Sequence, residues 1–201
     1  MVSDYRTGVE AMKALILTNL QNDFIDGVLS ISKAEEVIPI ANRLITSCCF
    51  DLIVAIQEFH PPGHCSFASS HPDITDGSTL QPEHCIWNTH GSAFHEDLLI
   101  GRVNLILRLG GKIDVDCYSG FIDQATHLTG LSGYLKDNGV NEVWLTGLSH
   151  RGFMGKTAST SASMGFDTRL IVEGCRGVNK SEVEEAVKYG VKVATEKEAY
   201  Q

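Results

Sequence analysis

Short apolar segments rich in β-forming residues alternate along this chain with amphipathic segments, and this alternation is its most constraining feature. Apolar runs without polar alternation are typical of parallel strands buried on both faces. The predicted strands are Lys13–Thr18, Leu52–Gln57, Val103–Leu109, Val143–Thr146 and Thr168–Val172, with Val191–Ala194 as a weaker sixth. Strands that alternate with helices predict a three-layer, doubly wound α/β fold with a mostly parallel sheet of about six strands.

Four amphipathic segments between these strands are predicted as helices. They are Lys33–Cys48, Thr129–Asp137, a segment from about Phe153 to Met164, and Lys180–Tyr189, the last with Asn179 or Ser181 as a cap. In such sheets, ligands bind at the carboxyl ends of the strands. The carboxyl ends of the predicted strands carry Asn19, Glu58, Leu109 and the turn before Phe153. The long connection from Phe59 to Phe94 also favours a functional role.

Size and charge narrow the class of protein. A chain of 201 residues with 43% hydrophobic content fits one domain, 1–201. The net charge of −9 argues against nucleic acid or an anionic membrane surface as a partner. No apolar run is long enough to span a membrane. Residues 1–13 lack the pattern of a signal peptide, and six scattered cysteines indicate a reducing compartment, so we expect a cytoplasmic protein.

Three sequence segments carry a family resemblance: ALILTNLQNDF, LILRLGG and WLTGLSHRGFMGKTAS. Together they resemble the nicotinamidase/isochorismatase-like cysteine hydrolases over about nine tenths of the chain. The resemblance implies an isochorismatase-like fold and a catalytic triad of Asp, Lys and Cys. At the matching positions this chain carries Asn19, Leu109 and Phe153.

The three replacements predict a pseudoenzyme for amide hydrolysis. Phe153 has no nucleophilic atom, and the amide of Asn19 is not a usable general base near neutral pH. Replacing Asp and Lys together also avoids leaving one buried charge without its partner. A bulge in the strand would leave an alternative, with Arg108 or Lys112 supplying the cation. A shifted nucleophile is excluded locally, because Trp144–Gly165 contains no cysteine.

A second set of residues resembles the metal site of the same family. Glu58 and His60 end the second strand, and His84 follows in the long connection, with His64 as a further candidate ligand. Residues i and i+2 of a strand point to the same face, so Glu58 and His60 can converge. One carboxylate and two imidazoles suit Zn²⁺, Fe²⁺ or Mn²⁺. The alternative is that these are polar loop residues bonded to the backbone.

The resemblance also implies residues of a ligand pocket. These are Phe24 in QNDF, Tyr118, and Leu148 and Ser149 in the turn before Phe153. Phe24 and Tyr118 fit core packing equally well. Cys117, Ser119 and His150 are the replacement nucleophiles nearest this pocket in sequence.

The leading functional hypothesis is a nicotinamidase-like pseudoenzyme that retains a metal or small-ligand site, with one divalent metal ion as the candidate cofactor and no nucleotide cofactor. The alternative is an active hydrolase on a small amide or ester, nicotinamide-like, that uses altered and metal-dependent chemistry. Because family members commonly form dimers or tetramers, we expect a homo-oligomer or pairing with an active relative.

Overall fold

The protein is built on one six-stranded parallel sheet, seen in a computed structural model that describes residues 12–74 and 80–201. The strand order is β3-β2-β1-β4-β5-β6, and all neighbouring strands are parallel. The strands are β1 (Met12–Thr18), β2 (Leu52–Glu58), β3 (Leu105–Leu109), β4 (Val140–Leu148), β5 (Asp167–Arg176) and β6 (Lys192–Ala194). The predicted α/β class and strand number are confirmed.

Among the described residues, six α-helices lie between or after the strands. They are α1 (Asn22–Ile25), α2 (Val37–Thr46), α3 (Leu131–Asp137), α4 (Phe153–Ser163), α5 (Lys180–Lys188) and α6 (Glu196–Ala199), with 3-10 turns at Ala34–Glu36, Ala68–Ser70 and Ile100–Arg102. The four predicted helices correspond to α2, α3, α4 and α5. Asn179 caps α5 by accepting the Glu182 N–H, whereas Ser181 lies inside that helix. The two unpredicted helices have one turn each, too short for a helical period.

The two faces of the sheet bury separate apolar cores, which makes the fold three-layered. Along β1, Ala14 and Ile16 pack on the side of α3, α4 and α5. Leu15 and Leu17 pack on the opposite side with α2. This alternation within one apolar strand is why the sequence shows no polar face there.

The strand order reverses at β1, which has β2 on one side and β4 on the other. Thr18, the last residue of β1, pairs with Ile56 and with Gly147 in the two neighbours. Gly147 has a φ of 124°, and a side chain there would collide with the Thr18 backbone. The carboxyl ends of these strands are thereby held close together at the position where doubly wound sheets bind ligands.

Strand β3 is less buried than its apolar sequence predicts. It lies at the edge of the sheet and alternates between more exposed and more buried positions, with Ile106 43% exposed and Leu109 only 7% exposed. The cause is that β3 has a single neighbour, β2. No helix in residues 12–74 and 80–201 is long and apolar enough to cross a membrane. The signal-peptide prediction rests mainly on residues 1–11, which lie outside the described residues.

Candidate metal and ligand site

Glu58, His60 and His84 converge at the carboxyl end of β2. The Glu58 Oε2 atom lies 3.2 Å from His60 Nε2 and 3.2 Å from His84 Nε2. The candidate ligand atoms of the three residues all lie within 4.8 Å of one another. All three side chains are buried, so the cluster is an enclosed group and not a surface patch.

Each imidazole is oriented through its other nitrogen. His60 Nδ1 lies 3.2 Å from the Gly110 carbonyl oxygen, and His84 Nδ1 lies 2.9 Å from the Pro82 carbonyl oxygen. A carbonyl only accepts, so each Nδ1 donates its N–H. Each Nε2 then faces Glu58, where it donates to the carboxylate while it carries a proton and can act as a metal ligand once it has lost that proton. Gly110 allows this approach, because a side chain there would overlap the His60 ring.

The charges of the cluster favour a cation. Burial raises the pKa of the Glu58 carboxyl, but hydrogen bonds from His60 and His84 outweigh it and hold that pKa well below its usual range. Burial lowers the pKa of His84, and the bond to Glu58 reverses this, so the net shift is upward. An ionised carboxylate between two imidazoles is a donor set that fits Zn²⁺, Fe²⁺ or Mn²⁺. The residues present therefore suit a divalent metal ion.

His64 lies against this cluster, but its ring nitrogens already face other groups. Its ring centroid is 4.3 Å from that of His60. Nδ1 lies 2.8 Å from the Ser66 hydroxyl, and Nε2 lies 3.2 Å from the Val115 carbonyl oxygen. His64 is thus placed as a packed neighbour of the three-residue group, and its role as a further ligand stays a prediction.

The three positions that the family resemblance matches to a catalytic triad lie near this cluster and carry an amide, an alkyl group and a phenyl ring. The Asn19 side-chain amide donates from Nδ2 to Glu58 Oε1 at 2.8 Å. Leu109 pairs with Glu58 across β3 and β2, and Phe153 is the first residue of α4. Leu109 and Phe153 are 7% and 5% exposed and belong to one apolar core.

Neither alternative cation takes the place of Leu109. The β2–β3 register runs without interruption from Val54 with Leu105 to Glu58 with Leu109, so no bulge moves a neighbour into position. Arg108 donates to Gln57 Oε1 at 3.0 Å and lies over the Phe59 ring. The Lys112 ammonium pairs with Asp123 at 3.5 Å.

A cleft of about 370 Å³ opens beside the cluster. Its walls are mostly polar: Glu58, Gln81, Asp116, Cys117, Tyr118, Gln124, His150, Arg151, Phe153 and Lys156 line it. Sequence reasoning missed Asp116, Gln124 and Lys156 as wall residues. The signal for Lys156 was its position three residues after Phe153 in the same helix, which places both on one face.

Of the four predicted ligand-binding residues, one lines the cleft and three do not. Tyr118 lines the cleft. Phe24 is fully buried behind it, with its ring centroid 6.0 Å from that of His84 and 5.9 Å from that of His150. Leu148 lies in the apolar core, and the Ser149 hydroxyl bonds Glu182 and the Met154 N–H. The structure therefore places Leu148 and Ser149 in packing between elements instead of in the cleft wall.

Of the three candidate replacement nucleophiles, Cys117 and Ser119 lack activation. Burial raises the pKa of the Cys117 thiol well above its usual value, which opposes formation of a thiolate. The Ser119 hydroxyl is fully buried and accepts the N–H groups of Phe121 and Ile122. His150 lines the cleft, and burial lowers the pKa of its imidazole.

Comparison with known proteins identifies the family of this chain. Residues 13–197 match the family model described as the isochorismatase domain. The chain belongs to the isochorismatase family. Within that family, it is 34% identical over 177 residues to the nicotinamidase of Acinetobacter baylyi, a match that covers 83% of this chain and 82% of the relative.

Solved structures extend the likeness of this isochorismatase-family chain to its fold. A nicotinamidase/pyrazinamidase of Acinetobacter baumanii superimposes with a TM-score of 0.85 at 32% identity, over 94% of this chain and 98% of that one. The pyrazinamidase of Pyrococcus horikoshii, solved in complex with zinc, superimposes with a TM-score of 0.72 at 27% identity, over 91% and 98% of the two chains. The chain is thus a nicotinamidase-like member of a hydrolase family.

Proposed function

We propose that this protein binds one divalent metal ion through Glu58, His60 and His84 and a small polar ligand in the adjoining cleft, without hydrolysing amides by the cysteine mechanism. The observation that carries the proposal is the convergence of three buried ligand atoms at the carboxyl end of β2. Phe153, which the family resemblance matches to the nucleophile, lines the adjoining cleft and has no nucleophilic atom. Cysteine-type catalysis needs a thiolate with a neighbouring base.

The side chains around the cluster support binding in preference to acyl transfer. Asn19 engages Glu58 with its amide and offers no proton-accepting carboxylate. Leu109 contributes only apolar surface. The cleft presents Arg151 and Lys156 as well as Asp116, so it suits a ligand that carries both charge and hydrogen-bonding groups.

A metal ion in this site supplies a Lewis acid that polarises a carbonyl group or acidifies water. The residues of the chain determine the rest. Glu58 contributes the negative charge, while His60 and His84 present fixed Nε2 atoms. Burial of all three excludes bulk water from their far side and strengthens their attraction for a cation.

The second candidate is hydrolysis of a small amide, nicotinamide-like, to a carboxylate and ammonia by altered, metal-dependent chemistry. Similarity to nicotinamidases favours this candidate over a purely binding role. The candidate metal ligands Glu58, His60 and His84 are consistent with both binding and metal-dependent hydrolysis. Asn19, Leu109 and Phe153 favour the first.

One experiment separates the two candidates. Purified protein is supplied with Zn²⁺, Fe²⁺ or Mn²⁺, its metal content is measured after desalting, and ammonia release is followed with nicotinamide and a panel of small amides. We expect one metal ion per chain and no ammonia. Ammonia release that disappears in Glu58→Ala overturns the first candidate and establishes the second.

Matched variants make the result specific. We expect His84→Ala to lose the metal, whereas His127→Ala, at an exposed surface position, keeps it. The triple variant Asn19→Asp, Leu109→Lys, Phe153→Cys restores the family triad, and we expect it to release ammonia. Wild-type protein that retains no metal under any of these conditions overturns the metal site.

Assembly and location remain proposals. We propose a homo-oligomer, or pairing with an active relative, in the cytoplasm, with no nucleic acid, membrane or nucleotide as a partner. The support is the acidic net charge and the family membership. Light scattering of the purified protein measures the oligomeric state directly.

A further inference from the structure

We infer that Asn19 is a positioning residue for Glu58: its amide holds one carboxylate oxygen so that the other faces both histidines. The inference takes its functional meaning from the proposed metal site, because the held carboxylate is one of the proposed ligands. It assigns Asn19 a present role, in contrast to the interpretation of this residue as a lost catalytic acid.

The two oxygens of Glu58 have separate partners. Oε1 accepts from Asn19 Nδ2 at 2.8 Å, and Oε2 lies 3.2 Å from each imidazole nitrogen. Asn19 and Glu58 are 1% and 8% exposed, so bulk water has little access to this bond. Without the Asn19 amide, the three-bond glutamate side chain is free to rotate Oε2 away from the histidines.

The backbone fixes the position of Asn19, the donor of this hydrogen bond, beside its acceptor Glu58. Asn19 directly follows β1, and its N–H bonds the Ile56 carbonyl oxygen of the neighbouring β2 at 3.1 Å. Its φ is 56°, in the left-handed region that asparagine tolerates better than most residues. The side chain therefore begins from a set position beside the end of β2, where Glu58 is the last residue.

The Asn19 amide is oriented to donate a hydrogen bond to Glu58, and its own oxygen is left without a donor in the part of the chain that the structure describes. A carboxylate only accepts, so the NH₂ group must face Glu58, and the buried Oδ1 then has no hydrogen-bond partner among the described residues. Leaving a buried acceptor unpaired is unfavourable. An aspartate at this position would be worse, because it would bring two carboxylate groups into contact. A neutral donor at position 19 is what Glu58 requires.

The first test exchanges the two groups in metal-free protein. Thermal unfolding is measured for Asn19→Asp, Glu58→Gln and the double variant. We expect Asn19→Asp alone to lower Tm by roughly 5 °C or more, because two buried carboxylates then meet. In the double variant, the glutamine amide introduced at position 58 can donate to the carboxylate introduced at position 19, so Tm returns to that of Glu58→Gln or above. If the decrease in Tm of the double variant equals the sum of the decreases of the two single variants, the inference is overturned.

The second test measures the affinity for Zn²⁺ by competition with a chromophoric chelator. Asn19→Gly removes the amide, and glycine tolerates the left-handed backbone. We expect about 10-fold weaker binding or more, the effect of losing a group that orients a ligand. In a Glu58→Asp background the shorter arm no longer reaches Asn19, so the same change alters affinity by less than about 2-fold.

Equal losses in the two backgrounds, or no loss in either, overturn the role of Asn19. Failure of wild-type protein to bind Zn²⁺ has a different meaning. It overturns the proposed metal site, while the exchange experiment in metal-free protein still decides whether Asn19 positions Glu58.

Discussion

The family resemblance matches Phe153 to the nucleophile position, and truncating this residue tests whether this part of the site is a packed interior. Its side chain is 5% exposed and shares one apolar core with Leu109, Phe121 and Met154. It also forms part of the cleft wall. If the position has been converted to packing, Phe153→Ala destabilises the whole domain.

The size of the effect follows from this burial. Truncating a buried phenylalanine costs about 3–5 kcal/mol, through lost transfer free energy and the cavity left behind. One side of Phe153 borders the cleft, where water can enter after truncation, so we take the lower end, about 3 kcal/mol. For a chain of this length, each 1 kcal/mol lowers Tm by about 2–4 °C, so the expected decrease is about 6–12 °C.

The assay is thermal unfolding of metal-free protein by circular dichroism, with urea unfolding to obtain the free energy. Tyr118→Ala is the matched control, because Tyr118 lines the same cleft but is 42% exposed. We expect the control to lose less than about 1 kcal/mol. Equal losses for the two variants would refute the argument that Phe153 is a packing residue.

Three further predictions concern other positions. Leu109→Lys places an ammonium in the apolar core and lowers the free energy of unfolding by about 2 kcal/mol or more; an unchanged or higher Tm contradicts this, and Ile106→Lys at an exposed position of the same strand is the control. Asn179→Ala removes the cap of α5 and costs about 1 kcal/mol in urea unfolding, whereas Ser181→Ala changes little. Burial lowers the pKa of His150 in the folded state, so the unfolded chain binds the proton first as pH falls below about 6.5. Metal-free wild-type protein should therefore lose more stability between about pH 7 and pH 5 than His150→Gln does; equal losses contradict the buried neutral imidazole.

The layers of the fold could be predicted because each strand carries its own signal. Continuous apolar runs such as that of β1 indicate burial on both faces without any knowledge of the partners. The edge position of β3 could not be predicted, because the number of neighbours of a strand depends on topology and not on its own residues. The one-turn helices α1 and α6 were also missed, since four residues do not show a helical period.

The sequence predicted which residues form the candidate site, but it did not predict the contacts between them. Glu58 and His60 share a strand face, so their convergence follows from the two-residue period. His84 reaches them through a long connection whose path no local pattern specifies. The bond from Asn19 to Glu58 depends on the β1–β2 register, and a one-residue difference in that register would have separated the two side chains.

The return of the long connection to β2 has a consequence for the proposed metal binding. Glu58 and His84 are 26 positions apart in the sequence, and two hydrogen bonds hold the chain next to His84 in place. The His60 N–H donates to the Cys85 carbonyl oxygen, and the Cys85 N–H donates to the Asp23 side-chain carboxylate. The entropic cost of closing this loop is therefore incurred when the polypeptide folds, before any metal ion binds. The proposed metal ion would then bind to a site that is already folded, in contrast to a zinc finger, which folds only when it binds its metal. Binding of the ion should raise the melting temperature with ion concentration while leaving the far-ultraviolet circular dichroism spectrum unchanged.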